Sequence, residues 1–230
     1  MKVFAVSCDK GRAERLTAAA SPLDLEFVIV PSPLKDDPEV VRRGKTCFER
    51  NTSYPTGLAA TLGHIRAMAA FVETGDPLGI IIEDDVRFRK DFKEVLSIIE
   101  RNHGDADIIS LGFVNFPAGN TEDMEGIPIL KNVQLSNPWG AQCYTVTHDW
   151  AKKFVEIFSV DDVAIPYDNH FVTDWVMFDP VLGCRRHTLL DPIAVEGPDE
   201  QTIAGSTNKP NLWEFLDKSW FYLGGTMQCR

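Results

Sequence analysis

The chain has 230 residues, 44% hydrophobic and 25% charged, with 34 acidic against 23 basic side chains and a formal net charge of −11. That length supports one substantial core, and we expect a single compact domain over residues 1–230. The acidic balance argues against a nucleic-acid surface, which needs a basic stripe, but leaves room for an anionic small ligand wherever a bound cation inverts the local charge. The five cysteines (8, 47, 143, 184 and 229) form no Cys-x-x-Cys pair, so neither a zinc knuckle nor a disulfide framework is suggested. The first apolar run is too short for a signal segment and no later run is long enough to span a bilayer, so the expectation is a cytoplasmic chain without a transmembrane segment.

In chain order, Lys2–Cys8 reads as a strand, Asp9-Lys10-Gly11 as a turn and Arg12–Ala20 as a helix. Leu25–Val30 reads as a second strand stopped by Pro31 and Pro33, and residues 31–53 as a long polar loop. Thr56–Glu73 carries Leu58, Leu62, Ile65, Met68, Ala69 and Val72 at helical spacing and ends at Gly75-Asp76-Pro77. A short apolar strand follows, Gly79-Ile80-Ile81-Ile82, then a helix over Asp91–Arg101 and a buried strand over Asp107–Val114. Phe116–Gly126 reads as a loop, Ala141–Thr147 as a strand, His148–Phe158 as an amphipathic helix and Asn169–Phe178 as a further helix. The last fifty residues are turn-rich and end in the aromatic segment Trp213 to Tyr222. Strands alternating with helices predict an α/β fold with a largely parallel sheet.

The chemistry concentrates where the apolar strand ends in Glu83-Asp84-Asp85. Three adjacent carboxylates at the end of a buried strand need solvent, a proton, a basic partner or a cation. Ligands of open α/β sheets sit beyond the carboxyl ends of strands, and hard oxygen donors suit Mn²⁺ or Mg²⁺ held together with substrate phosphates. Strand alternation puts Glu83 and Asp85 on one face and Asp84 on the other. The competing reading is a solvated acidic turn that caps the next helix.

Gly57 and Gly63 allow close backbone approach along the preceding helix, and His64 is placed to donate to a phosphate or a sugar hydroxyl. An ordinary structural histidine is the alternative. Trp139, in Asn137-Pro138-Trp139-Gly140, is suited either to stacking on a sugar face or to plugging the edge of the core. Asp168 and Asp174 flank His170. Either carboxylate would serve as a base toward an acceptor hydroxyl, and Asp168 also suits a helix N-cap.

Taken together and in order, these segments resemble glycosyltransferase family 25, which includes lipopolysaccharide and collagen galactosyltransferases. The resemblance rests on Gly57…Leu62-Gly63-His64-Ile65 followed by Glu83-Asp84-Asp85, then Trp139-Gly140-Ala141-Gln142-Cys143-Tyr144, Ala151-Lys152-Lys153-Phe154, Pro166-Tyr167-Asp168, and Pro198-Asp199-Glu200-Gln201 with Ser206. Gly63 and Cys143 depart from the family pattern of Ser and Gly at those positions. The resemblance implies a GT-A fold, with a nucleotide-sugar half over about 1–115 and an acceptor-side half over about 116–230. It implies a metal-dependent hexosyltransferase that uses a nucleotide-diphosphate sugar, UDP-linked, inverts the anomeric centre and serves a glycan or glycoconjugate acceptor. Asp85 with Glu83 would hold the metal. Ser7, Asp9, Arg12, Arg15, Gly57, His64 and Asp84 would lie at the donor, and Asp174, then Asp168, would be the base. The other classes considered are a sugar nucleotidyl- or phosphoryl-transfer enzyme and a non-catalytic nucleotide-sugar-binding domain. The single glycine in Ser7–Arg15 counts against the nucleotidyl-transfer class, which wants a glycine-rich loop there.

Overall fold

A computed structural model describes residues 2–48, 55–113, 121–131, 140–159 and 182–197. The first half runs β1 (Val3–Ser7), α1 (Lys10–Ala20), β2 (Phe27–Pro31), α2 (Pro38–Phe48), α3 (Pro55–Val72), β3 (Leu78–Glu83), β4 (Val86–Phe88), α4 (Phe92–Asn102) and β5 (Ile108–Ser110). It continues with β6 (Thr121–Met124), β7 (Ile127–Leu130), β8 (Cys143–Thr147), α5 (His148–Ser159), β9 (Arg186–Leu189) and β10 (Ala194–Glu196).

Eight strands form a mixed sheet in the order β2-β1-β3-β8-β5-β9-β7-β6, and β10 pairs with β4 in a two-stranded ribbon. The β2-β1-β3 end is parallel, as is the β5–β9 pair. β8 runs antiparallel to both of its neighbours, β3 and β5. Helices cover both faces, and strand alternation sorts the core between them. Val3, Ala5, Ile80 and Ile82 pack with Leu16 of α1 and with Phe92, Leu96 and Ile99 of α4. Phe4, Val6, Ile81 and Tyr144 pack with Met68 and Phe71 of α3 and with Trp150 and Phe154 of α5. This is the Rossmann-like α/β arrangement expected.

Two expected loops contain regular structure. Within 31–53, α2 forms because Val40, fully buried, docks against Leu58, Ala59 and Leu62 of α3. Glu39 pairs one turn on with Arg43 and across to Arg66, which fixes the helix to its neighbour. Within Phe116–Gly126, the described part enters the β6–β7 hairpin. Glu125 (φ 52°) and Gly126 (φ 87°) both take positive φ at its turn, and Asp123 accepts the Gly126 N–H at 2.9 Å. β4, β9 and β10 are short strands that the sequence pattern did not resolve. β5 is shorter than the expected Asp107–Val114 strand. Pro31 closes β2 without cost to the ladder because β2 is the edge strand. The expected helix over Asn169–Phe178 and the aromatic segment from Trp213 lie outside the described residues.

Candidate functional site

Parallel pairing of β1 and β3, with Val6 opposite Glu83, sets Ser7 beside the Glu83-Asp84-Asp85 run. The strand ends at Glu83 and the chain turns at once, so the expected alternation breaks. Asp84 and Asp85 are both buried and both reach the same cation: Arg12 Nη2 lies 3.0 Å from Asp84 Oδ1 and 2.7 Å from Asp85 Oδ2. The Ser7 hydroxyl donates to Asp84 Oδ2, and the Gly197 N–H donates to the Asp85 carbonyl at 2.8 Å. Arg12 is aimed by its own helix start. Asp9 is the N-cap of α1, and its carboxylate accepts the Arg12 N–H at 2.7 Å. The basic partner required by the acidic run is therefore supplied from within the chain.

Glu83 belongs to a second group, on the α3 side of the sheet. Its Oε1 lies 3.3 Å from His64 Nε2, and His64 Nδ1 lies 2.9 Å from the Tyr144 hydroxyl. A neutral ring protonated on Nε2 satisfies both contacts, donating to Glu83 and accepting from Tyr144. His64 is fully buried and its ring stacks on Tyr144, so it holds Glu83 from behind, as the structural alternative describes. Gly63 makes this possible. A Cβ there would stand 2.5 Å from Ser32 Oγ and 2.7 Å from Val6 Cγ1, so only glycine lets α3 come this close to the end of β1.

A carboxylate not singled out in the sequence completes the site. Glu196 ends β10 opposite Val86, next to Gly197 and its bond to Asp85. Burial, followed by the charges of Asp85 and Glu83, pushes its carboxyl up to about 7, with Arg12 working in the other direction. The signal was present in the sequence: Ile193-Ala194-Val195 is another apolar run that ends in an acid. Burial and Asp84 also push the Cys8 thiol up, which disfavours a reactive thiolate.

Beside the acids, a groove of about 710 Å³ runs along α1 and β2. Ser7, Cys8, Asp9 and Lys10 lie at one end, and Ala13, Glu14, Thr17, Ala18, Ser21, Ile29 and Pro31 line the rest. Of the expected donor residues, Ser7 and Asp9 line this groove, Asp84 accepts from the Ser7 hydroxyl, and Arg12 bridges Asp84 to Asp85. Arg15 is exposed on α1, Gly57 lies in the first turn of α3, and Asp168, Asp174 and Trp139 lie outside the described residues. Among the described residues, no three His, Cys, Asp or Glu side chains form a ready-made metal cage, and no helix is long and apolar enough to cross a membrane.

No family model matches the chain and no curated protein matches it, so the family-25 resemblance stands on its motifs alone. The structure is similar to a solved one described as a glycosyltransferase involved in the glycosylation of the major capsid of PBCV-1. The TM-score is 0.51 at 11% identity, over 90% of this chain and 98% of that one. At that identity the likeness establishes a shared fold.

Proposed function

We propose that this chain is a glycosyltransferase that moves a hexose from a nucleotide-diphosphate sugar to a hydroxyl of a glycan or glycoconjugate. The observation that carries the reading is the buried Arg12–Asp84–Asp85 cluster. It stands at the carboxyl ends of two parallel strands, beside a groove large enough for a nucleotide, in a fold shared with a glycosyltransferase. The groove receives the nucleoside, with Ser7 and Asp9 at one end and its diphosphate directed toward the acids.

A divalent cation, Mn²⁺ or Mg²⁺, fits the chemistry of the residues present. Arg12 bridges Asp84 and Asp85, and Glu196 stands nearby with its carboxyl pushed up by burial first and then by the charges of Asp85 and Glu83. Ions that act with nucleotide phosphates need only one or two carboxylates from the protein. Asp85 would hold the ion with Glu196 beside it, in place of the Glu83 helper suggested by alternation. When bound, the ion would neutralise the leaving diphosphate. Arg12 orients Asp84 and Asp85. An inverting transfer also needs a carboxylate base at the acceptor, for which Asp174 and Asp168 are the candidates.

The test is release of UDP or GDP from their hexose conjugates, with Mn²⁺ present or removed by EDTA. We expect Asp85→Asn to lower turnover by roughly 100-fold, the usual cost of losing one electrostatic partner of the transition state. Full turnover in EDTA would remove the cation from the reading. Full turnover of Asp85→Asn would remove Asp85.

A further inference from the structure

Glu196 reaches the acids on the β4–β10 ribbon, and that ribbon is held differently at its two ends. Ala194 lies opposite Phe88, Val195 opposite Arg87 and Glu196 opposite Val86. A ribbon of two short strands is marginal by itself and depends on what packs against it. One end is tied through the backbone. The Arg89 N–H donates to the Ile193 carbonyl at 2.8 Å, and the Ile193 N–H donates to the Leu111 carbonyl at 2.9 Å. The other end carries Glu196 and Gly197, and there the Gly197 N–H donates to the Asp85 carbonyl at 2.8 Å.

Arg87 closes that second end. It is buried in the middle of β4, and its Nη1 donates to the Val86 carbonyl at 3.3 Å. A Cβ on residue 197 would stand 3.0 Å from Arg87 Cζ and 3.2 Å from both Nε and Nη2. The central carbon is the nearest of the three atoms. An approach along the edge of the group would bring the nitrogens closer than Cζ, so Gly197 lies against the flat face. Gly197 thus has its N–H on Asp85 and its α-carbon under a guanidinium, and a side chain there would push the two apart. The guanidinium is rigid and planar, and the ammonium of a lysine offers no such face. We infer that Arg87 is a positioning residue for the divalent cation: its planar face holds Gly197 on the Asp85 carbonyl and so sets the spacing between the carboxylates of Asp85 and Glu196. Arg12 holds Asp85 from α1, and Arg87 holds Glu196 through Gly197 without touching the ion. The inference rests on the cation reading proposed above and makes the ribbon its gauge.

The experiment is Mn²⁺ binding, read from the electron paramagnetic resonance signal of the free ion, with and without UDP. The proteins are the wild type, Arg87→Met, Arg87→Lys, Glu196→Gln and the double variant Arg87→Met with Glu196→Gln, and thermal melts check folding. Groups that orient metal ligands from behind change affinity by about 10–100-fold when removed, so Arg87→Met should weaken Mn²⁺ binding at least about tenfold. Arg87→Lys should weaken it as much, because it keeps the charge and loses the plane. Glu196→Gln should also weaken it, and the double variant should bind no more weakly than Glu196→Gln alone, because nothing is left to position. Wild-type affinity in Arg87→Met or in Glu196→Gln overturns the inference. Wild-type affinity in Arg87→Lys overturns it too, since charge would then be what acts. Additive losses in the double variant overturn it, because Arg87 would then act independently of Glu196. If the wild type binds no Mn²⁺ with or without UDP, the cation reading itself fails, and the inference with it. Should Arg87→Met not fold, Gly197→Ala decides from the other side: its methyl group meets the guanidinium at 3.0 Å and should weaken Mn²⁺ binding, and unchanged affinity would overturn the inference.

Discussion

Arg12 is the point at which the energetics of this site are most exposed to test. Its side chain is 11% accessible and bridges carboxylates that are 7% and 9% accessible, at 3.0 and 2.7 Å. Substitution by methionine keeps the stem and deletes the charge, leaving two adjacent buried carboxylates without their cation. Breaking a buried pair from one side costs about 3–5 kcal/mol. The low end applies here, because Asp84 keeps the Ser7 hydroxyl and the site lies at the edge of the core. A loss of about 3 kcal/mol in a domain of this size lowers Tm by about 6–12 °C. The same deletion makes the acids a better site for a divalent ion. An ion present at about 100 times its Kd returns roughly 2.7 kcal/mol. Differential scanning calorimetry of wild type and Arg12→Met, each with and without MnCl₂, separates the two effects. The expected result is a large drop for the variant in metal-free buffer and a larger rescue by Mn²⁺ in the variant than in the wild type. An unchanged Tm for Arg12→Met would refute the claim that the guanidinium neutralises this cluster. A drop without any rescue would refute the cation site.

Two other predictions concern the fold that holds the site. Gly63→Ala drives a methyl group to within 2.5 Å of Ser32 Oγ and 2.7 Å of Val6 Cγ1, so urea unfolding should show a loss of about 1–3 kcal/mol, and an unchanged midpoint would contradict the close approach of α3. At the opposite ends of the strands, burial and then the charge of His187 hold the His103 imidazole down at about 4. The unfolded ring takes its proton near the ordinary 6.5, so this contribution to stability is complete above that pH and is lost as pH falls through about 4. For a partly exposed ring the effect is about 2 kcal/mol. Urea midpoints measured from pH 7 to pH 4 should fall more steeply for wild type than for His103→Gln, and parallel curves would refute the assignment.

The N-terminal half of the fold was legible because its signals are local. The apolar periodicity of α3 and the apolar run of β3 each specify an element within a few residues, whereas Asp9-Lys10-Gly11, expected as a turn, is the N-cap and first turn of α1. The same locality explains what was missed. α2 is interrupted by charged residues and Gly44, and it docks because α3 offers Leu58 and Leu62 to Val40. The hairpin at Glu125-Gly126 was legible only as turn-formers, since its strands are too short to show alternation. At the site, the sequence marked the acids, Ser7 and Arg12, but not that they pair directly, nor Glu196. Arg12 is 72 residues from Asp84, and Glu196 comes 111 residues after Asp85. Pairing over such distances depends on strand order, which no local pattern encodes. Strand alternation was also the wrong rule for Asp84 and Asp85, because it fails at the first residue of a turn.

The reversed strand β8 has a consequence for how the molecule comes into being. Because β8 runs against β3, its first residues, not its last, meet the end of β3, and Tyr144 and Gln142 reach Glu83 only after the chain has passed residue 140. Gly197 closes on Asp85 later still. At about 5–20 residues per second of synthesis, the acidic strand end waits roughly 6–20 seconds between its own emergence and that last contact. Over that interval Ser7 and Arg12, both made before the acids, are already present to meet Asp84 and Asp85. The arginine that organises the finished site is thus also the residue positioned to chaperone its charges while the rest of the sheet is still being made.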